Sequence, residues 1–262
     1  MWRGVMPVIK LNRVWNYCTY DKAFFIFILA LFLALSYMDD YFIKLPTLFS
    51  TPFLCFEYCF IMGYGLQITR DRANNGVRLP KILIKDVLLL GVQGIIFVAV
   101  FFIVQGWVLQ LLSVPFSIQN FDLEDLLLNF HDTVNLIYTN DIVYLLEFFV
   151  FGGGIFYIST FFMEIALARL ADTGNILKAF NIFSLIEDIN SMGWLHYAFD
   201  CTLIILALVV LSYIEFIVIP NDFLEYIFMG FVELLLFATQ FLGIGAVYAE
   251  VKDKRRKATK FK

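Results

Sequence analysis

The sequence predicts an all-α integral membrane protein with six transmembrane helices, and three observations lead to that fold class. Of 262 residues, 61% are hydrophobic and 16% charged, whereas soluble domains have roughly 45–50% apolar and about 25% charged residues. Six stretches approach the roughly 20 apolar residues that let a helix cross the hydrocarbon layer with its backbone hydrogen bonds satisfied. All 19 Lys and Arg residues except Lys44 fall on one side of those stretches.

The predicted spans follow one another in a simple order. They lie at about 23–38, 51–66, 87–112, 142–167, 194–219 and 223–248. The third is the longest and carries no charge after Asp86, so we expect it to tilt or to extend beyond the bilayer. Pro220, Asn221 and Asp222 form the turn between the last two spans.

The one-sided basic residues predict the topology. Lys and Arg in short loops resist translocation, so these loops stay in the cytoplasm. The chain then divides into a cytoplasmic segment at 1–22, a membrane domain at 23–251 and a basic cytoplasmic tail at 252–262. We expect a multi-pass protein of the cell membrane with both termini cytoplasmic.

The loop between the third and fourth spans has an amphipathic pattern. Apolar residues from Leu123 to Ile137 occupy one arc of a helical wheel, opposite Glu124, Asp125 and Asp132. This predicts an outer helix that lies on the membrane face or caps the bundle. Its acidic face is either solvated or binds divalent cations or a basic partner.

Two cytoplasmic connections resemble each other. Residues 72–76 (Arg-Ala-Asn-Asn-Gly) and 83–86 (Leu-Ile-Lys-Asp) match residues 170–174 (Leu-Ala-Asp-Thr-Gly) and 185–188 (Leu-Ile-Glu-Asp). Each copy predicts a helix C-terminus followed by a short interfacial segment. Since both copies face the cytoplasm, they predict a parallel internal repeat. Chance similarity between two membrane-proximal turns is the alternative.

The same connections resemble a known family. Residues 63–70 (Gly-Tyr-Gly-Leu-Gln-Ile-Thr-Arg) with Leu79-Pro80, and residues 166–174 through Ala179-Phe180, are similar to the two loop signatures of the multi-spanning, mainly archaeal family called domain of unknown function 4013. The resemblance covers nearly the whole chain and implies a membrane bundle, without a substrate, activity or cofactor. The candidate structural turn residues are Gly63, Tyr64, Arg70, Arg72, Gly76, Arg169, Asp172 and Gly174.

Polar residues within the spans are the candidate functional residues. The candidate polar or ion-path set is Glu57, Glu147, Asp200, Glu215, Glu233 and Gln240. An ionised carboxylate in hydrocarbon is costly, so such groups face the bundle interior, take a proton or line a wet cavity. One interpretation is hydrogen bonding between helices, and the other is a polar cavity or ion path.

Smaller patterns favour packing over chemistry. Cys55 and Cys59 share a helix face, a spacing unlike redox or zinc motifs. His196 and Asp200, also four residues apart, predict a shared proton or a hydrogen bond at the cytoplasmic interface. The glycines at 152–154 predict either a close helix contact or a broken helix. The sequence contains no recognisable nucleotide, zinc-protease or hydrolase motif, so we expect no enzyme, cofactor or metal.

Together these patterns favour a non-catalytic membrane protein that organises or partners other membrane or envelope components. The alternative is a transporter or channel for a cation, a proton-coupled solute or a lipid, which uses the intramembrane carboxylates. The expected partners are the bilayer, anionic lipid headgroups at the basic tail, and another membrane protein or a second copy of the chain. We expect no nucleic-acid partner.

The topology predicts the behaviour of reporter fusions. Green fluorescent protein fused after Lys262 should fluoresce, because it folds in the cytoplasm, whereas alkaline phosphatase at the same position should be inactive. A fusion after Asp132, in the predicted outer loop, should show the reverse pattern. Active phosphatase after Lys262 would refute the predicted orientation.

Overall fold

The structure is a computed structural model that describes residues 11–42, 47–113, 153–216 and 221–260. All regular elements in these ranges are helical, which confirms the all-α prediction there. The helices are α1 (Leu11–Cys18), α2 (Lys22–Phe42), α3 (Thr47–Ala73), α4 (Ile84–Ser113), α5 (Gly153–Thr173), α6 (Ile176–Ala179), α7 (Ile182–Met192), α8 (Trp194–Ser212) and α9 (Asp222–Lys260), with a 3-10 helix at Tyr213–Phe216.

Within the described residues, four helices are long and apolar enough to cross a membrane. They are Ile84–Val108, Gly153–Thr173, Trp194–Ser212 and Phe223–Lys257, which overlap the third to sixth predicted spans. The apolar stretch of α2, Lys22–Leu35, is shorter, and α3 is not among the four. The membrane class is thereby supported, while the first two spans and the orientation stay predictions.

The described part of the predicted basic tail is helical. The tail was predicted from residue 252, and α9 includes its residues as far as Lys260. No glycine or proline follows Gly245 to interrupt it. The basic residues at 252–257 therefore keep fixed positions relative to the apolar part of the same helix.

The chain separates into two compact units. The larger comprises Met1–Ile95 and Ile165–Lys262, and in it α9 packs against α1, α2, α3, α7 and α8. The smaller comprises Ile96–Glu164. In it the rings of Tyr157 and Phe161 pack edge to face, with their centroids 4.4 Å apart. The predicted outer helix at 123–137 lies outside the described residues.

Glycines allow α3 and α4 to cross at backbone contact. A Cβ added at Gly63 would lie 1.8 Å from the carbonyl oxygen of Val87, and one at Gly91 would lie 1.7 Å from that of Cys59. Side chains at these positions would push the helices apart, as at other small-residue helix contacts in membranes. At Gly153, by contrast, an added Cβ would meet no atom of the described residues within 4 Å.

The contact between α3 and α9 is equally close. Thr69 is fully buried, and its hydroxyl donates to the carbonyl oxygen of Phe241 at 3.0 Å. A Cβ at Gly65 would overlap the Phe241 ring, and one at Gly245 would lie 2.7 Å from the Thr69 carbonyl oxygen. Residues 63–70, named above as a loop signature, therefore include the packing face of α3.

The connection between α5 and α8 holds two short helices. The side chain of Asn175 caps α6 by accepting from the Leu177 amide, and that of Asn181 caps α7 by accepting from the Ser184 amide. One face of α7 buries Leu185, Asp188, Ile189 and Met192. The matching connection after α3 has no helix at 77–83, so the two predicted repeats differ in their interfacial segments.

The crossing of α3 and α4 predicts a selective effect of alanine substitution. Gly91→Ala should destabilise the protein by about 1–3 kcal/mol, because the methyl group collides with backbone that cannot rotate away. The measurement is the midpoint of thermal unfolding of the purified protein in detergent. Gly153→Ala is the matched control and should leave the midpoint nearly unchanged. Equal midpoints for both variants would refute the close crossing.

Candidate functional site

The described ion pairs of the larger unit lie around the last turns of α9. On this side α5 ends, α7 runs between α5 and α8, and α8 begins. Five residues form what we call the ion-pair network: Arg169, Asp172, Asp188, Lys252 and Arg255. The network lies on the side that the sequence predicts to be cytoplasmic.

Asp188 of α7 is the buried centre of the network. Its side chain is 0% exposed, and its Oδ2 lies 2.8 Å from a terminal nitrogen of Arg169 on α5. Its Oδ1 lies 2.7 Å from a terminal nitrogen of Arg255 on α9. Burial raises the pKa of Asp188, and the guanidinium groups of Arg255 and Arg169 oppose that rise. The two arginines stabilise a carboxylate that the apolar packing of α7 places out of water.

Lys252 joins the turn after α3 to the end of α5, two segments that are distant in sequence. Its ammonium group lies 2.8 Å from Asp172 at the end of α5 and donates at 2.8 Å to the side-chain oxygen of Asn74 after α3. Asn74 and Asp172 are the equivalent positions of the two predicted repeats. One cation on α9 therefore contacts both turns at the same relative position.

The two turns close differently in detail. In the first, Asn75 has a positive φ of 63°, and the amide of Gly76 donates to the carbonyl oxygen of Asp71 at 2.8 Å. In the second, Gly174 takes the positive φ, at 62°, and its amide donates to Leu170 at 2.7 Å. The left-handed residue is shifted by one position, and the repeat stays a prediction.

The first helix is anchored to the same region. The hydroxyl of Tyr17 on α1 donates to a carboxylate oxygen of Asp71 at 2.7 Å. Burial, followed by the hydrogen bond to Asp71, raises the pKa of Tyr17. Burial also raises the pKa of the neighbouring Cys18 thiol to about 12. Tyr17 therefore stays protonated at neutral pH and remains a donor to Asp71.

A second polar group, His196, Asp200 and Glu250, joins α8 to α9. The Nε2 atom of His196 lies 3.5 Å from Oδ2 of Asp200 and 3.1 Å from Oε1 of Glu250. Lys254 lies 2.9 Å from the same Glu250 oxygen. Within the described ranges, these three residues are the one set of His, Cys, Asp or Glu side chains whose ligand atoms approach closely enough to hold a metal ion.

The predicted ion-path residues occupy different environments. Glu57 on α3 is buried at 6% exposure, whereas Glu233 on α9 is exposed and Gln240 half-buried. Asp200 alone joins the group described above. Glu147 lies outside the described residues, as does the side chain of Glu215.

The predicted turn residues also separate by location. Most lie inside helices: Gly63, Tyr64, Arg70 and Arg72 in α3, and Arg169 and Asp172 in α5. Only Gly76 and Gly174 lie in the turns themselves, because α3 continues to Ala73 and α5 to Thr173. Tyr64 is fully buried and donates to the Pro80 carbonyl oxygen at 3.3 Å.

Sequence reasoning missed Glu250 and the individual roles of Lys252 and Arg255. The tail suggested only lipid headgroups as partners. A signal was present in the spacing, since Lys252 and Arg255 are three residues apart and so share a helix face if α9 continues. Their acceptors come from three separate segments, which no local pattern connects to the tail.

Comparisons with protein-family models, curated proteins and solved structures gave no match for this chain.

Two adjacent arginines test the ion-pair network. Arg255→Gln should lower the free energy of unfolding by about 1–3 kcal/mol, because a buried carboxylate loses one of its charged partners. Arg256→Gln is the matched control, since Arg256 is exposed and its removal deletes the same charge. The measurement is thermal unfolding in detergent with limited proteolysis of the α7 segment. A network that does not stabilise the fold would give equal effects for both variants.

Proposed function

We propose that this chain is a non-catalytic multi-spanning membrane protein that organises or partners other membrane components. The observation that carries the proposal is the use of α9 as a common tie. Its last turns contact the end of α3 through Lys252, the end of α5 and α7 through the ion-pair network, and α8 through Glu250.

The pairing of these charges favours a rigid platform. Asp188 pairs with arginines from two helices. The ammonium group of Lys252 donates hydrogen bonds to the side chains of Asn74 and Asp172. A gate needs an element with two arrangements of similar free energy. Moving the arginines away from Asp188 while it stays buried would leave an uncompensated charge, which typically costs several kcal/mol. The described geometry is therefore better suited to holding a fixed surface than to alternating access.

An apolar surface next to the network supports a membrane-interface location. Leu177 is 76% exposed, Phe183 is 84% exposed and Leu195 is 89% exposed. Leu177 lies in α6, Phe183 in the first turn of α7, and Leu195 at the start of α8, a candidate membrane span. At an interface these side chains enter the acyl region while the face of α7 that carries Asp188 stays on the protein. Lipid would then cover these three apolar side chains, whose exposure to water is unfavourable.

In this proposal the protein lies in the cell membrane with both termini cytoplasmic. Exposed Arg256 and Lys257 contact anionic headgroups, whereas Lys252 and Arg255 serve internal ion pairs. The protein partner is another membrane protein or a second copy of the chain. Membership of the family called domain of unknown function 4013 remains a prediction from the loop signatures.

A transporter or channel is the second candidate, and buried carboxylates favour it. Glu57 is 6% exposed and Glu164 is 7% exposed, both on helices of predicted spans. Carboxylates in such positions mark proton or ion routes in many transporters. They also stabilise helix contacts as protonated hydrogen-bond donors, which is their role in the first candidate.

Flux measurements distinguish the two candidates. We expect liposomes containing the purified protein to show the same proton, Na⁺ and K⁺ flux as protein-free liposomes. Glu57→Gln, Glu147→Gln and Glu233→Gln should leave that flux unchanged. Glu57→Gln should instead lower stability by about 1 kcal/mol, because its buried contacts change, while exposed Glu233→Gln should have a smaller effect.

The same variants allow a positive test of the organising role. After mild solubilisation, the wild-type protein should migrate in native electrophoresis as a complex larger than one chain, and Glu57→Gln should weaken that complex. A pH-dependent or cation-dependent flux that the glutamine variants abolish would replace this proposal with the transport one.

A further inference from the structure

The start of α8 and the end of the apolar part of α9 place three metal-ligating side chains together. His196 and Asp200 lie one helical turn apart on α8 and point to the same side. Glu250 approaches them from α9, and all three ligand atoms lie within 4.8 Å of one another. We propose that His196 Nε2, Asp200 Oδ2 and Glu250 Oε1 bind one divalent transition-metal ion of the Zn²⁺ type.

Two of the three distances between the ligand atoms match those around a single ion, and the third pair lies within 4.8 Å. Ligands about 2.0–2.1 Å from a tetrahedral Zn²⁺ are separated from each other by about 3.4 Å. His196 Nε2 lies 3.5 Å from the Asp200 oxygen and 3.1 Å from the Glu250 oxygen. One imidazole and two carboxylates are a normal donor set for Zn²⁺, and three protein ligands leave the fourth position to water.

Asp200 supplies the independent observation that points to a cation. Its side chain is 0% exposed, yet none of the described residues donates a hydrogen bond to either of its carboxylate oxygens. An ionised carboxylate without donors is costly to bury. The Nε2 atom of His196 can donate only one proton, and it lies closer to the Glu250 oxygen than to the Asp200 oxygen. A metal ion would use the lone pairs that no N–H group reaches.

The charge balance leads to the same ligand class. The polar side chains facing the group are His196 and Asp200 from α8, with Glu250 and Lys254 from α9. With a neutral imidazole, two carboxylates and one ammonium leave a local charge of about −1, which favours binding of a divalent cation. From α7, the backbone oxygen of Met192 also faces Lys254, at 3.1 Å.

The ammonium group of Lys254 competes with a metal ion for the Glu250 oxygen, and it can be displaced. It lies 2.9 Å from the Glu250 oxygen, but it also donates to the Met192 carbonyl oxygen and keeps that acceptor when the metal binds. The side chains of His196 and Glu250 are 29% and 33% exposed, so the ion has a route from solvent. Asp200 then forms the buried floor of the site and the other two ligands its rim. A bound ion would tie the first two turns of α8 to α9.

Metal binding to the purified full chain tests the site. The protein should be prepared with an affinity tag that lacks histidine, stripped with a chelator and titrated with Zn²⁺ against a chromophoric competitor. We expect one Zn²⁺ per chain. His196→Ala and Asp200→Asn should each weaken binding at least tenfold. Asp253→Asn should not change it, because Asp253 is an exposed acid on α9, the helix that carries Glu250. Lys254→Gln should strengthen binding, because it removes the competing ammonium.

A spectroscopic variant keeps the test decisive if a ligand substitution impairs folding. In His196→Cys, Co²⁺ should give a thiolate-to-cobalt charge-transfer band in the near ultraviolet that Co²⁺-loaded wild-type protein lacks. That band would place the ion at residue 196 directly. Absence of stoichiometric Zn²⁺ binding, or binding that neither His196→Ala nor Asp200→Asn weakens, would overturn the proposal.

Discussion

Because α9 is a single uninterrupted helix from Asp222 to Lys260, its apolar and basic residues are held in one rigid register. Thr69 and Gly245 fix the α3 contact of its apolar part. Once that contact forms, the directions of Lys252 and Arg255 are set, since a helix advances about 1.5 Å and turns about 100° per residue. Their acceptors on three other segments must then meet them.

The ion pairs at this end act on a partly buried surface. Exposed pairs contribute little to stability, because water screens them and ordering long side chains costs entropy. Asp188 is different, since it is fully buried and flanked by two arginines. Its pairs contribute mainly by preventing the cost of an unpaired buried charge. The network therefore specifies which helix arrangement is acceptable more than it adds net stability.

The helical class and the four described helices that are apolar enough to span a membrane were predicted from the sequence, because length and hydropathy are local properties. Sequence reasoning located the turns near Gly76 and Gly174, and it named Gly63 as a candidate turn residue, whereas Gly63 lies at the crossing of α3 and α4. The sequence alone does not distinguish a glycine in a turn from a glycine at a helix contact. For Gly63, the nearby backbone of Val87 in the structure identifies the helix contact. Asp200 was named as a polar residue, but Glu250 was not, since no local pattern relates α8 to α9.

Lys252 has a consequence for the order in which the protein matures. It is separated by 178 residues from Asn74 and by 80 from Asp172, and α9 is synthesised after both of these loops. The loops must therefore remain without this partner while the intervening helices are made and inserted. Late closure of such distant contacts is slow relative to local helix formation. During that interval Asn74 and Asp172 lack the ammonium group of Lys252, and they gain it only when α9 packs against them.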